Sequence, residues 1–504
     1  MWPRAVSEPA PTAAAAAGRQ AAVIDVGSNS VRLVIYRLEG RAIWTVFNEK
    51  ALAGLGRDLP SAGRLSPDGV EVAITALRRF RAVLDEWDAA EVMTVGTAAV
   101  REARDGPDFI ARIQAETGLR LRVLSGAEEA RYAALGVRAG QPDARGVAGD
   151  LGGSSLELVH LDADMPSGIT LPLGPFALGA PRPLEADRVR RIVAERLDDA
   201  ALRFRTREFH AVGGAWRNLA LLHMEMADYP LRVAHQYEMS RSDALDVARF
   251  VARQSRASLE RMVGLSKKRF DTLPYSALVL DALIERLGVE HIVISAYGLR
   301  EGLLLDSMPP GVRGQDPLIE GFEALSQVRG LSPDLGAALE AWVGPALGKL
   351  PPVFGAREPA LTAAACRIAD LGARLHPDHR GELTFEIILR APVAGMSHAE
   401  RAFLACAGFA RHNSSSNLPQ AATIARLLTP ERRQRARALG AAIRLGCDLS
   451  GRNAGLLRHA RLEIEGDTLA LDAEGRWRDM LLGEQTAKRA QTLAQALRLK
   501  LRLG

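Results

Sequence analysis

Residues 21–36 read AAVIDVGSNSVRLVIY, and residues 146–161 read GVAGDLGGSSLELVHL. Each is an apolar strand that reaches an aspartate, passes through a turn of Gly, Ser or Asn, and returns as a second apolar strand. Asp25 matches Asp150, Gly27 matches Gly152, Ser30 matches Ser155, Leu33 matches Leu158 and Val34 matches Val159, at a constant offset of 125 residues (150 − 25). Glycine reaches positive φ, so successive backbone N–H groups in such a tip can converge on an anion. Small hydroxyl side chains add donors without bulk. A carboxylate beside that nest repels bare phosphate, but a divalent cation such as Mg2+ reconciles the two, since hard cations take oxygen ligands. Two tips in register predict a duplicated domain that grips a phosphate chain and its metal in a central cleft.

Outward from the first hairpin, strands are predicted at 21–26, 31–38 and 42–48, then a helix at 66–87 and a strand at 91–95 ahead of GTAAVREARD. A helix at 106–117, a strand at 121–124 and a helix at 126–139 complete the first half. The second half repeats the plan, with strands at 146–150, 155–161 and 169–173, a helix at 186–203, and strand 209–212 leading into Gly213, Gly214 and the helix AWRNLALLHM. A helical insertion at 241–286 precedes strand 291–295 and SAYGLREGLL. Mixed elements in two like halves predict an α/β fold. Pro309, Pro310 and Gly311 mark a boundary. Residues 316–446 carry helical periodicity, 461–472 read as a hairpin turning at Gly466-Asp467, and a last helix is expected at 484–500. The expected organisation is a disordered tail at 1–20, domains at 21–140 and 141–310, and a helical domain with a small β appendage at 311–504.

A length of 504 residues agrees with roughly three domains, and 47% apolar residues suffice for several cores. Cys366, Cys406 and Cys447 are far apart and make no disulfide or metal pattern, which suits a reducing cytoplasm. The ten histidines show no metal-ligand spacing. No stretch approaches a membrane span. Residues 311–504 hold 26 Lys and Arg against 20 Asp and Glu. Within 401–461 there are 11 Arg and only two acids, Glu431 and Asp448. Such a surplus suits a surface for an extended polyanion, with Arg432, Arg433, Arg435 and Arg437 as its lining.

The segment SGAEEAR opens a helix at Ser125. Ser125 and Glu128 have the spacing of a capping box, which gives Glu128 a structural task. Glu129 is left free, about 100° further around the helix. Ser125 is not read as a nucleophile, because no histidine lies near it in sequence and capping explains it.

Taken together and in order, DVGSNSVRL, GTAAVRE, SGAEEAR, DLGGSSLEL and VGGAWRNLA resemble the exopolyphosphatase / guanosine pentaphosphate phosphatase (Ppx/GppA) family of the actin–sugar kinase–Hsp70 superfamily. The motifs span residues 21 to about 306. The remainder is similar, more weakly, to the helical domain that long members append. The resemblance implies two actin-like (ribonuclease H-like) domains around a cleft and a mainly helical, HD-like C-terminal domain. That domain is degenerate, for the chain has no His-Asp dipeptide, and LHPDHR (His376, Asp378, His379) has the wrong order.

The resemblance also implies roles. The family's catalytic glutamate matches Glu129, expected to activate water. Asp25, Asp150 and Glu157 are the expected metal ligands. Glu157 corresponds to Arg32 in the first hairpin, so one hairpin offers an anion where the other offers a cation. Phosphate contacts are expected from Gly27, Ser28, Asn29, Ser30 and Arg32, and from Gly152, Gly153, Ser154 and Ser155. The family commonly has a third glycine where this chain has Ser154, so that tip is expected to lean on its serines. Thr97 and Arg101 stand at a strand-to-helix junction that aims donors at an anion, and Arg101 is expected to clamp the terminal phosphoryl group. Gly213, Gly214 and Arg217 are expected to hold the next phosphates. Lys267, Lys268 and Arg269 form a short basic run, read as exposed surface in preference to lining the substrate path. The implied activity is Mg2+-dependent release of orthophosphate from inorganic polyphosphate by a cytoplasmic homodimer, with no nucleic acid or membrane required. The alternatives are 5′-phosphohydrolysis of guanosine pentaphosphate (pppGpp) and, in another class, an actin-like ATPase or sugar-kinase phosphotransferase. A non-catalytic (p)ppGpp sensor would lack Glu129.

Overall fold

A computed structural model of the chain describes residues 18–87, 89, 91–162, 167–181, 183–262, 269–327, 334–414 and 417–504. In it, β1 (Arg19–Val26) is the central strand of a five-stranded sheet. Its AAVIDV run is apolar on both sides because both faces are covered. Ala22, Ile24 and Val26 pack under α2 (Pro67–Asp85) and α4 (Gly106–Thr117), whereas Ala21 and Val23 join Tyr132, Leu304 and Met308 on the other face. The sheet is completed by β2 (Val31–Glu39), β3 (Ala42–Ala51), β4 (Glu91–Gly96) and β5 (Arg122–Val123), in the order β3-β2-β1-β4-β5. α1 (Leu59–Ala62), α3 (Ala98–Glu102) and α5 (Gly126–Gly140) are the remaining helices of this half.

The second half repeats the pattern with one addition. β6 (Val147–Leu151), β7 (Leu156–His160), β8 (Gly168–Leu171), β9 (Glu208–Val212) and β11 (His291–Ser295) follow the same sequence of antiparallel hairpin and parallel crossover. β10 (Tyr237–Ser240) adds an antiparallel edge beside β11 that the sequence reading did not contain. Its helices are α6 (Ala186–Arg203), α7 (Gly214–Met226), α8 (Arg241–Ala252), α9 (Arg256–Glu260), α10 (Leu273–Leu287) and α11 (Leu299–Ser307). The expected insertion at 241–286 is thus three helices, with 263–268 outside the described residues. α5 and α11 approach so closely that a Cβ on Gly302 would lie 1.9 Å from the Tyr132 carbonyl oxygen, and one on Gly136 2.0 Å from that of Gly298.

Two boundaries move. The tail expected at 1–20 ends earlier, because Arg19 and Gln20 pair with Leu38 and Arg37, while 1–17 lie outside the described residues. The last helix stops at Leu497, and Lys500–Leu503 form β14, parallel to β13 (Thr468–Ala473), which pairs in turn with β12 (Ala460–Glu465). By its internal contacts the chain forms two compact units. One runs to Ala227 and resumes over Tyr237–Gly314, so both halves belong to it; the other comprises Asp228–Gln236 and Gln315–Gly504.

Within the second unit three of the four arginines expected to face a polyanion are occupied. Arg435 donates to Glu358 Oε1 at 2.6 Å and to the Pro351 carbonyl at 2.9 Å. Arg432 donates to the Val353 carbonyl at 3.1 Å and lies 4.1 Å from the Phe354 ring centroid. Arg437 donates to the Ser414 carbonyl at 3.1 Å, whereas Arg433 Nε is buried without a hydrogen-bond partner among the described residues. Buried Arg401 donates to the Ala391 carbonyl at 2.5 Å. Much of the basic surplus therefore ties helices to loops rather than forming a free cationic face. Among the described residues no helix is long and apolar enough to cross a membrane.

Candidate active site

Both hairpin tips close in the same way. The Gly27 N–H donates to the Ser30 carbonyl at 3.0 Å, and the Gly152 N–H to that of Ser155 at 2.9 Å. Across the strands Asp25 stands opposite Arg32, and Asp150 opposite Glu157. The tips abut: a Cβ on Gly153 would lie 3.0 Å from Ser28 Cβ and 3.1 Å from the Asn29 nitrogen. Between the halves lies a cavity of about 180 Å³.

Most residues singled out in the sequence line that cavity. Asp25, Asp150, Glu157 and Glu129 do, as do Gly27, Ser28, Asn29, Ser30, Arg32, Thr97, Gly152, Gly153, Ser155, Gly213, Gly214 and Arg217. Ser154 and Arg101 do not. Ser154 is buried, and its hydroxyl faces Gly56, where a Cβ would lie 2.8 Å away. Arg101 lies behind Glu129, pairing with that carboxylate and donating to the Leu124 carbonyl at 2.8 Å.

The start of α5 sorts its two glutamates as their spacing predicts. Ser125 Oγ accepts from the Glu128 N–H at 3.2 Å, and Glu128 Oε2 accepts from the Ser125 N–H at 2.9 Å. Glu129 turns inward and is 5% exposed. Burial pushes its carboxyl up to about 7; Arg101 opposes this, and Asp150 and Asp25 add to it. Burial and the charge of Asp25 push Asp150 up to about 6. Burial also raises Asp25, and it raises Glu157 well above the carboxylate range with Glu129 and Asp150 beside it. Four carboxylates crowded in a low-dielectric site disfavour one another's ionised forms.

Such a site suits a cation. Glu157 Oε1 is a buried acceptor with no donor, and Asp25 and Asp150 present acceptor-only oxygens at matching places of the two hairpins. Among the described residues no three His, Cys, Asp or Glu form a ready metal cage. A Mg2+ ion does not need one, since it is commonly held by one or two carboxylates together with substrate phosphates and water.

Five cations, Arg32, Lys50, Arg217, Arg269 and Arg300, also line the cavity. Arg32 Nε donates to Asn48 Oδ1 at 2.8 Å, and burial draws its guanidinium down to about 10. Burial lowers Arg217 and brings Arg269 down to about 10. Lys50 falls to about 7 through burial and then through Arg269, Arg32, Arg217 and Arg300. For Arg300 burial acts downward, but Glu301, Tyr36, Asp25 and Asp150 outweigh it and hold the group up. Glu301 is fixed by Tyr36 Oη at 2.7 Å and by the Gly298 N–H at 2.9 Å.

Three of these cations differ from the sequence reading. Arg269, taken there as exposed, is half-buried in the cavity; Lys267 and Lys268 lie outside the described residues. Lys50 and Arg300 were not identified at all. Arg300 had a signal: LRE after strand 291–295 echoes VRE after strand 91–95, where Arg101 was found. Lys50 had none, because the expected strand ended at residue 48 and NEK reads as a solvated strand end.

Comparison with known proteins agrees with this geometry. Residues 34–310 match the Ppx/GppA phosphatase family, and residues 318–503 match "Exopolyphosphatase, C-terminal". Exopolyphosphatase 1 of Mycobacterium leprae is 28% identical over 298 residues, covering 56% of this chain and 88% of the relative. Exopolyphosphatase 1 of Mycobacterium tuberculosis is 28% identical over 322 residues, covering 61% and 93%. A solved exopolyphosphatase-like protein superposes with a TM-score of 0.52 at 26% identity, over 57% of this chain and 98% of its own. An exopolyphosphatase from Cytophaga hutchinsonii shares the fold, with a TM-score of 0.53 at 23% identity over 57% and 96%.

Proposed function

The chain belongs to the Ppx/GppA phosphatase family, and on that footing we propose that it hydrolyses the terminal phosphoanhydride bond of inorganic polyphosphate, releasing orthophosphate. The observation that carries this reading is the convergence of both hairpin tips and Glu129 on one cavity that Arg32, Lys50, Arg217, Arg269 and Arg300 also line. Glu129 takes a proton from water as the water oxygen bonds to the terminal phosphorus. The bond to the bridging oxygen breaks, and the chain departs one phosphate shorter. Arg101, outside the cavity wall, pairs with Glu129's carboxylate and the Leu124 carbonyl and so positions the base. Asp25, Asp150 and Glu157 would hold Mg2+, which supplies charge neutralisation to the phosphoryl group being transferred. The tip N–H groups and hydroxyls position the chain end.

The second reading, 5′-phosphohydrolysis of pppGpp, uses the same tips and base, and no observation favours it over polyphosphate. Initial rates of phosphate release from polyphosphates of graded length, measured beside pppGpp with and without Mg2+, decide between them. Polyphosphate is expected to give the higher kcat/KM, and that only with the metal. Turnover of pppGpp alone would overturn the proposal.

A further inference from the structure

The cavity is lined by four acids, Asp25, Asp150, Glu129 and Glu157, and by cations from both halves, Lys50 among them. The strongest charged neighbours of Lys50 are four guanidinium groups, with Arg269 first, and among the described residues neither Lys50 nor Arg269 makes a side-chain hydrogen bond or ion pair. The two come from different halves: Lys50 from β3, opposite Arg32 in register, and Arg269 from the residues before α10. Arg269 lies on the backbone of Gly214, where a Cβ would fall 2.2 Å from its Nη2, so glycine at the start of α7 is what admits the guanidinium. Its fork therefore sits beside the N–H groups of a helix N-terminus, an environment favourable to phosphate. Unpaired like charges held together at partial burial raise the energy of the free protein. A polyanion spanning both halves relieves that repulsion, whereas a single phosphate held at the tips does not.

Resting on the phosphatase reading, we propose that Lys50 and Arg269 grip the phosphates behind the scissile bond from opposite halves of the cavity. They make the site favour a phosphate chain that continues past the phosphate being cleaved.

The test uses the full chain with Mg2+ and compares Lys50→Met, Arg269→Met and Lys50→Arg on tripolyphosphate and on a long polyphosphate. Losing one charge-assisted contact is expected to raise KM for tripolyphosphate about tenfold, with the loss falling on KM rather than kcat. Long chains, which have further contacts, should be affected less. Lys50→Arg should return KM to near the wild-type value. Unchanged KM in both methionine variants, or a fall in kcat at constant KM, would overturn the assignment. Should Arg269→Met fail to fold, Lys50→Met and its arginine rescue decide alone. A wild-type chain that releases no phosphate from any polyphosphate would instead remove the underlying phosphatase reading.

Discussion

Glu129 holds its proton unusually tightly for a glutamate because it is buried, with Asp150 and Asp25 adding to the effect and Arg101 pulling the other way. A general base must be ionised to accept a proton, so phosphate release should fall as pH drops through about 7 rather than through the ordinary glutamate range near 4.5. The value belongs to the coupled set of acids and reads out as the acid limb of kcat/KM against pH. Arg101 lowers that value, so Arg101→Met should move the limb upward. A profile flat down to pH 5 in the wild-type chain would contradict the assignment. At this scale legibility followed local rules. Glu129 was singled out because the capping box accounts for Glu128 and the family resemblance points to its neighbour. The displacement of Ser154 from the cavity wall was not readable, since it depends on Gly56 from another part of the chain. Lys50 was likewise hidden, for its cationic neighbours come from four separate parts of the chain.

Duplication at the level of elements explains why two sheets present the same kind of tip to one cavity. Identical turn-closing bonds at Gly27 and Gly152 give both hairpins one shape, and the register places Arg32 where its counterpart is Glu157. α5 and α11 are locked by glycines whose hydrogens point at backbone of the opposite helix. A methyl group has no room there. Gly302→Ala should destabilise the N-terminal unit by about 1–3 kcal/mol through overpacking, seen as a lowered thermal midpoint. A midpoint equal to the wild type would show that the helices can separate without cost. The hairpins, the crossover helices and the 461–472 turn were legible from period and turn residues. β10 and β14 were not, because YEMS and KLRL are too short to show a period and become strands only by pairing with β11 and β13.

Over the whole molecule, charge counting was the least reliable guide. The Arg-rich stretch suggested a polyanion track, yet Arg432, Arg435 and Arg437 donate to carbonyl and carboxylate oxygens of their own unit. Arg435→Met should therefore cost stability, about 1.5–3 kcal/mol for a charge-assisted bond to the largely buried Glu358. It should leave the ratio of KM for long and short chains unchanged. A selective loss on long chains with an unaltered melt would restore the track. The two-sheet architecture of the first unit was readable because it is written twice, whereas the role of an arginine depends on which carbonyls the fold leaves without donors. The central claim is that one helix-borne acid, in a cavity shared by both halves, deprotonates the attacking water. It is tested most directly by Glu129→Gln, with steady-state phosphate release and equilibrium binding of polyphosphate measured on the same preparation. The account predicts a fall in kcat of about a hundredfold or more with binding retained; near-normal turnover in that variant would contradict it.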